Sequence, residues 1–160
     1  MDKFSHIDED DLPTMVDVSH KDPTDRQAHA RTTIEFPSVF ADQFIDGEIR
    51  TAKGPVFSTA IIAGVMASKK THELIPFCHS LGLDNCKITI NMDGMHRAVI
   101  DCHCKTHNKT GVEMEALTGA TVAALTIYDM CKALSHDIVI GQTRLVSKTG
   151  GKEDFYLGEE

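Results

Sequence analysis

The chain has 160 residues, of which 41% are hydrophobic and 25% charged. That is the usage of one globular domain whose core can stand without disulfides or metals. Asp and Glu number 24 against 16 Lys and Arg, for a net charge of −8. This excludes a broad basic nucleic-acid face but allows a local pocket where a few cations converge on an anion. The longest apolar run, residues 60–67, is far short of the roughly 20 residues of a membrane span. The opening Met1-Asp2-Lys3-Phe4-Ser5-His6 has no basic region leading into an apolar core, so no signal peptide is expected. Five cysteines, an odd number, read as reduced thiols of a cytoplasmic protein.

Residues 1–13 are acidic and poor in apolar side chains, so a mobile tail is expected there, with a second at 156–160 and a single domain over 14–155. Residues 31–36 are β-prone and stop at Pro37, predicting a strand. A short helix is expected over 38–45. After the Lys53-Gly54-Pro55 loop, Ser58 or Thr59 is expected to cap a helix running to Leu74, before Pro76. Its centre is apolar nearly all round, which predicts burial on several sides. Residues 86–92 alternate as a strand. Asp93-Gly94 then marks a hairpin into a second strand with Ala98, Ile100, Cys102 and Cys104 on one face. Thr110 and Glu113 have capping-box spacing at the head of a helix expected to reach Leu134. Its Ala116, Ala120, Ala123 and Ala124 allow close packing on a sheet. Strands at 138–140 and 144–147 complete a βαββαβ order. The fold class is therefore α+β, a ferredoxin-like sandwich with helices on one face of an antiparallel sheet.

Few residues declare their chemistry alone. Thr149-Gly150-Gly151-Lys152 lacks the spacing of a phosphate loop, although its backbone N–H groups suit an anion. Cys102-His103-Cys104 has no second Cys/His pair at zinc-finger spacing and reads best as core cysteines. Cys86 and Cys131 read the same way. Glu115 and Asp129 share a face of the second long helix, because 14 residues at 100° fall about 40° short of whole turns. They lie roughly 21 Å apart along its axis, too far for one small substrate to touch both on a single helix. Either they serve separate purposes, or a second subunit completes a site. Lys132, three residues after Asp129, is placed for an ion pair with it. Lys53 stands in a loop before Gly54-Pro55, and Lys148 at a strand end before Thr149-Gly150-Gly151; a lone lysine is most often a solvated surface residue.

Five stretches share one resemblance: MVDVS (15–19), THELIPFCH (71–79), GVEMEALT (111–118), AALTIYDMCKA (123–133) and KTGGK (148–152). With residues 57–67 they resemble the cyclic pyranopterin monophosphate synthase family, the C protein of molybdenum cofactor biosynthesis, over about residues 15–155. The resemblance implies a ferredoxin-like fold and a homohexamer built as a trimer of dimers, with active sites between subunits. It implies conversion of 3′,8-cyclo-7,8-dihydro-GTP to cyclic pyranopterin monophosphate with loss of pyrophosphate. It implies no resident cofactor or metal, and leaves open whether Mg²⁺ accompanies the triphosphate. No nucleic-acid or membrane partner is expected. By the same resemblance Asp129, Lys132 and Lys53 are the acid/base groups. Phe77, Cys78, His79, Met114, Glu115, Lys148 and Arg26 are expected to contact substrate, with His79 and Lys148 on phosphate. A lysine desolvated near other cations is expected to have a lowered pKa.

Ser80 stands where the family usually has Pro, and the ending after Gly151 is short. Two other readings compete. One is a non-catalytic ligand-binding module on the same fold. The other is a metal protein using Cys78, His79, Cys102 and Cys104.

Overall fold

A computed structural model describes residues 6–158. In chain order its elements are β1 (Thr24–Glu35), a 3₁₀ turn (Ser38–Gln43), β2 (Phe44–Ile45), β3 (Glu48–Thr51) and β4 (Gly54–Pro55). Then come α1 (Val56–Ser68), α2 (Thr71–Leu74), β5 (Asn85–Met92), β6 (Arg97–Asn108) and α3 (Glu113–Cys131). β7 (Val139–Ile140), β8 (Arg144–Thr149) and β9 (Phe155–Tyr156) close the chain. The main sheet runs β5-β6-β1-β8-β9, with β7 also on β1. All its pairings are antiparallel. With α1 between β1 and β5, and α3 between β6 and β8, this is the ferredoxin-like arrangement the sequence pattern predicts.

The helices bury one sheet face. Ala28, Ala30, Ile34, Ala98, Ile100, Cys102 and Cys104 point inward from the strands. The alanines of α3 at 116, 120, 123 and 124 meet them with no exposure. The alternation of apolar and polar residues dictates this placement, since successive strand side chains take opposite faces. The two long helices approach closely at glycines. A Cβ on Gly64 would lie 2.7 Å from the Gly119 carbonyl oxygen and 2.4 Å from Ile88 Cδ1. A Cβ on Gly119 would lie 2.3 Å from Ser68 Oγ.

Several boundaries differ from expectation for local reasons. β1 begins at Thr24, seven residues before the β-prone core of 31–36, because its full length pairs with β6 from Thr24↔Asn108 to Glu35↔Arg97. The first helix starts at Val56, and neither Ser58 nor Thr59 caps it. Instead the Glu48 carboxylate, reaching over from β3, accepts hydrogen bonds from the Phe57 and Ser58 N–H groups at 2.7 and 3.0 Å. Burial raises the Glu48 pKa, but these bonds and one from the Ile49 N–H outweigh it and hold the group below the usual carboxylate range. The helix stops at Ser68 and the chain re-forms a turn as α2. The capping box at Thr110 is not built: α3 starts at Glu113, and no side chain caps it. α3 also ends at Cys131, short of Leu134.

α1 is not buried on several sides within the protomer. Ile62 and Met66 are 62% and 52% exposed, and Leu125 of α3 is 52% exposed. Where tails were expected, residues 7–13 form a turn closed by an Ile7–Pro13 bridge, and Tyr156 pairs with Ser147. Residues 1–5 and 159–160 of those tails lie outside the described residues. Among the described residues no helix is long and apolar enough to cross a membrane.

Gly64→Ala is expected to destabilise the fold by about 1–3 kcal/mol, since the carbonyl it meets cannot rotate away. This holds despite the roughly 1 kcal/mol that alanine gains in helix propensity. Denaturant unfolding with an unchanged m-value checks it.

Candidate active site

α3 carries polar groups at both ends. At its C-terminal end the Asp129 carboxylate accepts hydrogen bonds from Lys132 Nζ at 2.8 Å and Lys53 Nζ at 2.9 Å. Lys53 Nζ also donates to the Asp129 carbonyl oxygen at 3.3 Å. Lys132 is one turn along the helix, as the i, i+3 spacing dictates. Lys53 arrives from the β3–β4 turn, where Gly54 has φ +111°, a conformation that L side chains rarely adopt. The Lys132 bond first, and the Lys53 bond second, pull the Asp129 pKa down to about 2. The same bond raises Lys132. The expected lowering of a catalytic lysine is therefore reversed at Lys132, because an adjacent carboxylate favours the ammonium. All three side chains are about half exposed.

At the N-terminal end lies a cavity of about 300 Å³. Phe77, Cys78, His79, Met114 and Glu115 all line it, as expected. His79 is fixed by a 2.6 Å hydrogen bond between Nε2 and the Val16 carbonyl oxygen. Glu115 is 5% exposed. Burial raises its pKa to about 7; its own backbone lowers it, and Glu113 adds a smaller repulsion. Near neutral pH its carboxyl is thus divided between proton donor and acceptor. Burial, and then Glu115, raise the Cys78 thiol, which makes it a poor nucleophile at rest.

Lys148 joins this end by pairing with Glu113 at 3.3 Å. That contact accounts for Glu113, which the sequence assigns to a capping box. Arg26 Nη2 donates to the Lys109 carbonyl oxygen at 3.4 Å, while its Nε is buried without a partner. Its guanidinium sits against Gly151, where a Cβ would approach Nη1 to 2.9 Å. Gly150, at φ +88°, has its Cβ position 1.8 Å from the Asp25 carbonyl oxygen, so only glycine fits. The glycine pair thus lets the chain after β8 pass close to Asp25 and Arg26.

Sequence reasoning missed four cavity residues with polar side chains: His6, Lys21, Thr110 and Glu113. The only signal for Lys21 is its place two residues beyond MVDVS. The expected sites therefore form two groups at opposite ends of one helix. Phe77, Cys78, His79, Met114, Glu115, Lys148 and Arg26 lie at one end, and Lys53, Asp129 and Lys132 at the other. The metal grouping of Cys78 and His79 with Cys102 and Cys104 is not assembled. Cys102 and Cys104 face the core, while Cys78 and His79 face the cavity. Among the described residues the thiols that do converge are Cys86, Cys102 and Cys104.

The molecule is an α+β sandwich with a cavity at one end of α3 and a Lys-Asp-Lys group at the other. The MoaC family model matches residues 15–151, and the chain belongs to that family. It is 55% identical over 152 residues to the cyclic pyranopterin monophosphate synthase of Xanthomonas campestris pv. campestris, covering 95% of this chain and 92% of that one. It is 51% identical to molybdenum cofactor biosynthesis protein 1 of Dictyostelium discoideum, across 94% of this chain and 26% of that protein. A molybdenum cofactor biosynthesis bifunctional protein of Synechocystis is also 51% identical, over 94% of this chain and 45% of its own length. The chain is thereby an enzyme of molybdenum cofactor biosynthesis.

The raised Glu115 pKa carries a stability signature. The folded state binds this proton more tightly than the unfolded chain, so stability is full below about pH 4.5 and falls as pH rises towards about 7. Unfolding free energies across that window should fall by up to about 3 kcal/mol from this group. Glu115→Gln should remove that part of the slope.

Proposed function

We propose that this enzyme converts 3′,8-cyclo-7,8-dihydro-GTP to cyclic pyranopterin monophosphate, a lyase reaction that releases pyrophosphate. In this reading it works in the cytoplasm as a homohexamer, a trimer of dimers, and holds no resident cofactor. The observation that carries the reading is the division of the site residues between the two ends of α3. Glu115 and Asp129 are 14 residues apart on one helix, roughly 21 Å at 1.5 Å per residue. A substrate the size of a nucleotide can meet both groups only if one protomer supplies the Glu115 cavity and a neighbour supplies Lys53, Asp129 and Lys132. The exposed Ile62, Met66 and Leu125 support association, since apolar side chains grouped on neighbouring helices favour burial against a partner.

The chemistry then divides by charge. His79 in the cavity, with Lys148 and Arg26 at the same end of α3, holds the triphosphate. They offset the negative charge that builds on the departing pyrophosphate as a hydroxyl oxygen of the nucleotide attacks the innermost phosphorus and the cyclic phosphate closes. Ring opening and pterin closure need several proton transfers. Lys132 enters as a charged acid, held so by Asp129. Glu115, near its midpoint at neutral pH, gives or takes a proton within the cavity. Asp129 orients both lysines through its 2.8 and 2.9 Å hydrogen bonds.

Incubation with the cyclised nucleotide, followed by detection of pterin product and pyrophosphate, tests the reaction. Asp129→Ala and Lys132→Ala should each lower the rate at least ~100-fold while the assembly stays folded. Near-normal turnover in either removes the assignment. A mixture tests the shared site. Co-expressed Glu115→Ala and Asp129→Ala chains should regain about one quarter of wild-type activity, because a random pairing leaves that share of interfaces with both ends intact. No recovery from mixed oligomers would place each site within one protomer.

A further inference from the structure

Three thiols from two strands meet under the helices, away from the cavity and from Asp129. Cys86 of β5 stands directly opposite Cys104 of β6, and Cys102 is two residues along β6 on the same inward face. Cys104 Sγ lies 3.9 Å from Cys102 Sγ and 3.8 Å from Cys86 Sγ, and all three sulfurs are within 4.8 Å of one another. A point equidistant from three atoms so spaced is about 2.2–2.5 Å from each. That range brackets the metal–thiolate bond of ~2.3 Å. We propose that Cys86, Cys102 and Cys104 form a three-coordinate binding site for one monovalent thiophilic metal ion, of the Cu(I) class.

Coordination number, ligand softness and access each favour this ion. Among the described residues no histidine or carboxylate joins the three sulfurs as a ligand, and the Ser68 Oγ hydroxyl is 3.9 Å from Cys102 Sγ. Ser68 Oγ is also already committed as donor to the Glu115 carbonyl oxygen. A fourth ligand is not at hand, which disfavours tetrahedral Zn²⁺. All-sulfur ligation selects soft ions.

Access is from the side, since β5 is the edge strand and Cys86 is only partly buried. Cys102 and Cys104 are buried and hold the far side. No redox change is involved: the ion arrives as Cu(I), each cysteine binds it as a thiolate, and the thiol protons displaced leave to solvent.

Anaerobic titration of the reduced full chain with Cu(I), in competition with the chelator bicinchoninate, tests the site. One equivalent per chain should be withdrawn from the chelator. X-ray absorption should report three sulfurs at about 2.3 Å. Cys86→Ser, at the partly exposed edge position, should weaken retention at least tenfold with the far-ultraviolet circular dichroism unchanged. Cys104→Ser should do the same, and Cys131→Ser should leave retention as in the wild type. Failure to compete with the chelator, a two-sulfur shell, or wild-type retention in the Cys86→Ser and Cys86→Val variants would overturn the proposal. So would displacement of Cu(I) by an equal concentration of Zn²⁺.

Discussion

The close seating of α3 on the sheet and against α1 is the constraint from which the rest follows. It depends on what the helix lacks. Gly119 leaves room for Ser68 Oγ and Cys102 Sγ, and Gly64 leaves room for the Gly119 carbonyl. Interiors packed at crystal density hold a rigid element in one place. A helix fixed in this way acts as a ruler. It sets Glu115 at one end and Asp129 with Lys132 at the other, and no side-chain rotation can bring them together.

The two ends are tuned in opposite senses by their surroundings. Glu115 is a carboxyl removed from water without an opposite charge beside it, so its neutral form gains. Asp129 is a carboxyl in water between two ammonium groups, so its ionised form gains. One helix therefore offers a proton-carrying acid and a permanently charged one. Pairs of titratable groups whose environments push their pKa values apart are what acid/base chemistry at one pH requires. The Lys-Asp-Lys group remains half exposed, where an ion triad adds little to stability.

The sheet was legible from sequence because strand alternation is a local signal: Ala98, Ile100, Cys102 and Cys104 face the core as their period of two requires. The Asp129–Lys132 pair was legible for the same reason, being a helical neighbour relation. Caps were not. Glu48 supplies the donor-satisfying carboxylate for α1 from eight residues before the helix begins, and Lys148 takes Glu113 from the far end of the chain. In each case a tertiary partner displaced the local one, and spacing within a motif carries no information about such a partner. The full length of β1 was missed likewise, because its first seven residues owe their extended form to β6 rather than to their own propensity. The motif resemblance named five residues that line the cavity but not His6, Lys21, Thr110 or Glu113, and it placed none of them in space.

The thiol cluster illustrates the limit most directly. Cys102 and Cys104 read as core cysteines on their own, and by burial they are. Only the register of β5 on β6 sets Cys86 opposite Cys104, and a one-residue slip would have turned its sulfur to the other face of the sheet. The arrangement is also separate from the cavity and from the Lys-Asp-Lys group: the sulfurs lie beneath α3 at Gly119, while those two lie at the ends of the helix. A metal held there would tie β5 and β6 together under the helix and stiffen the seat on which that ruler rests, without touching substrate.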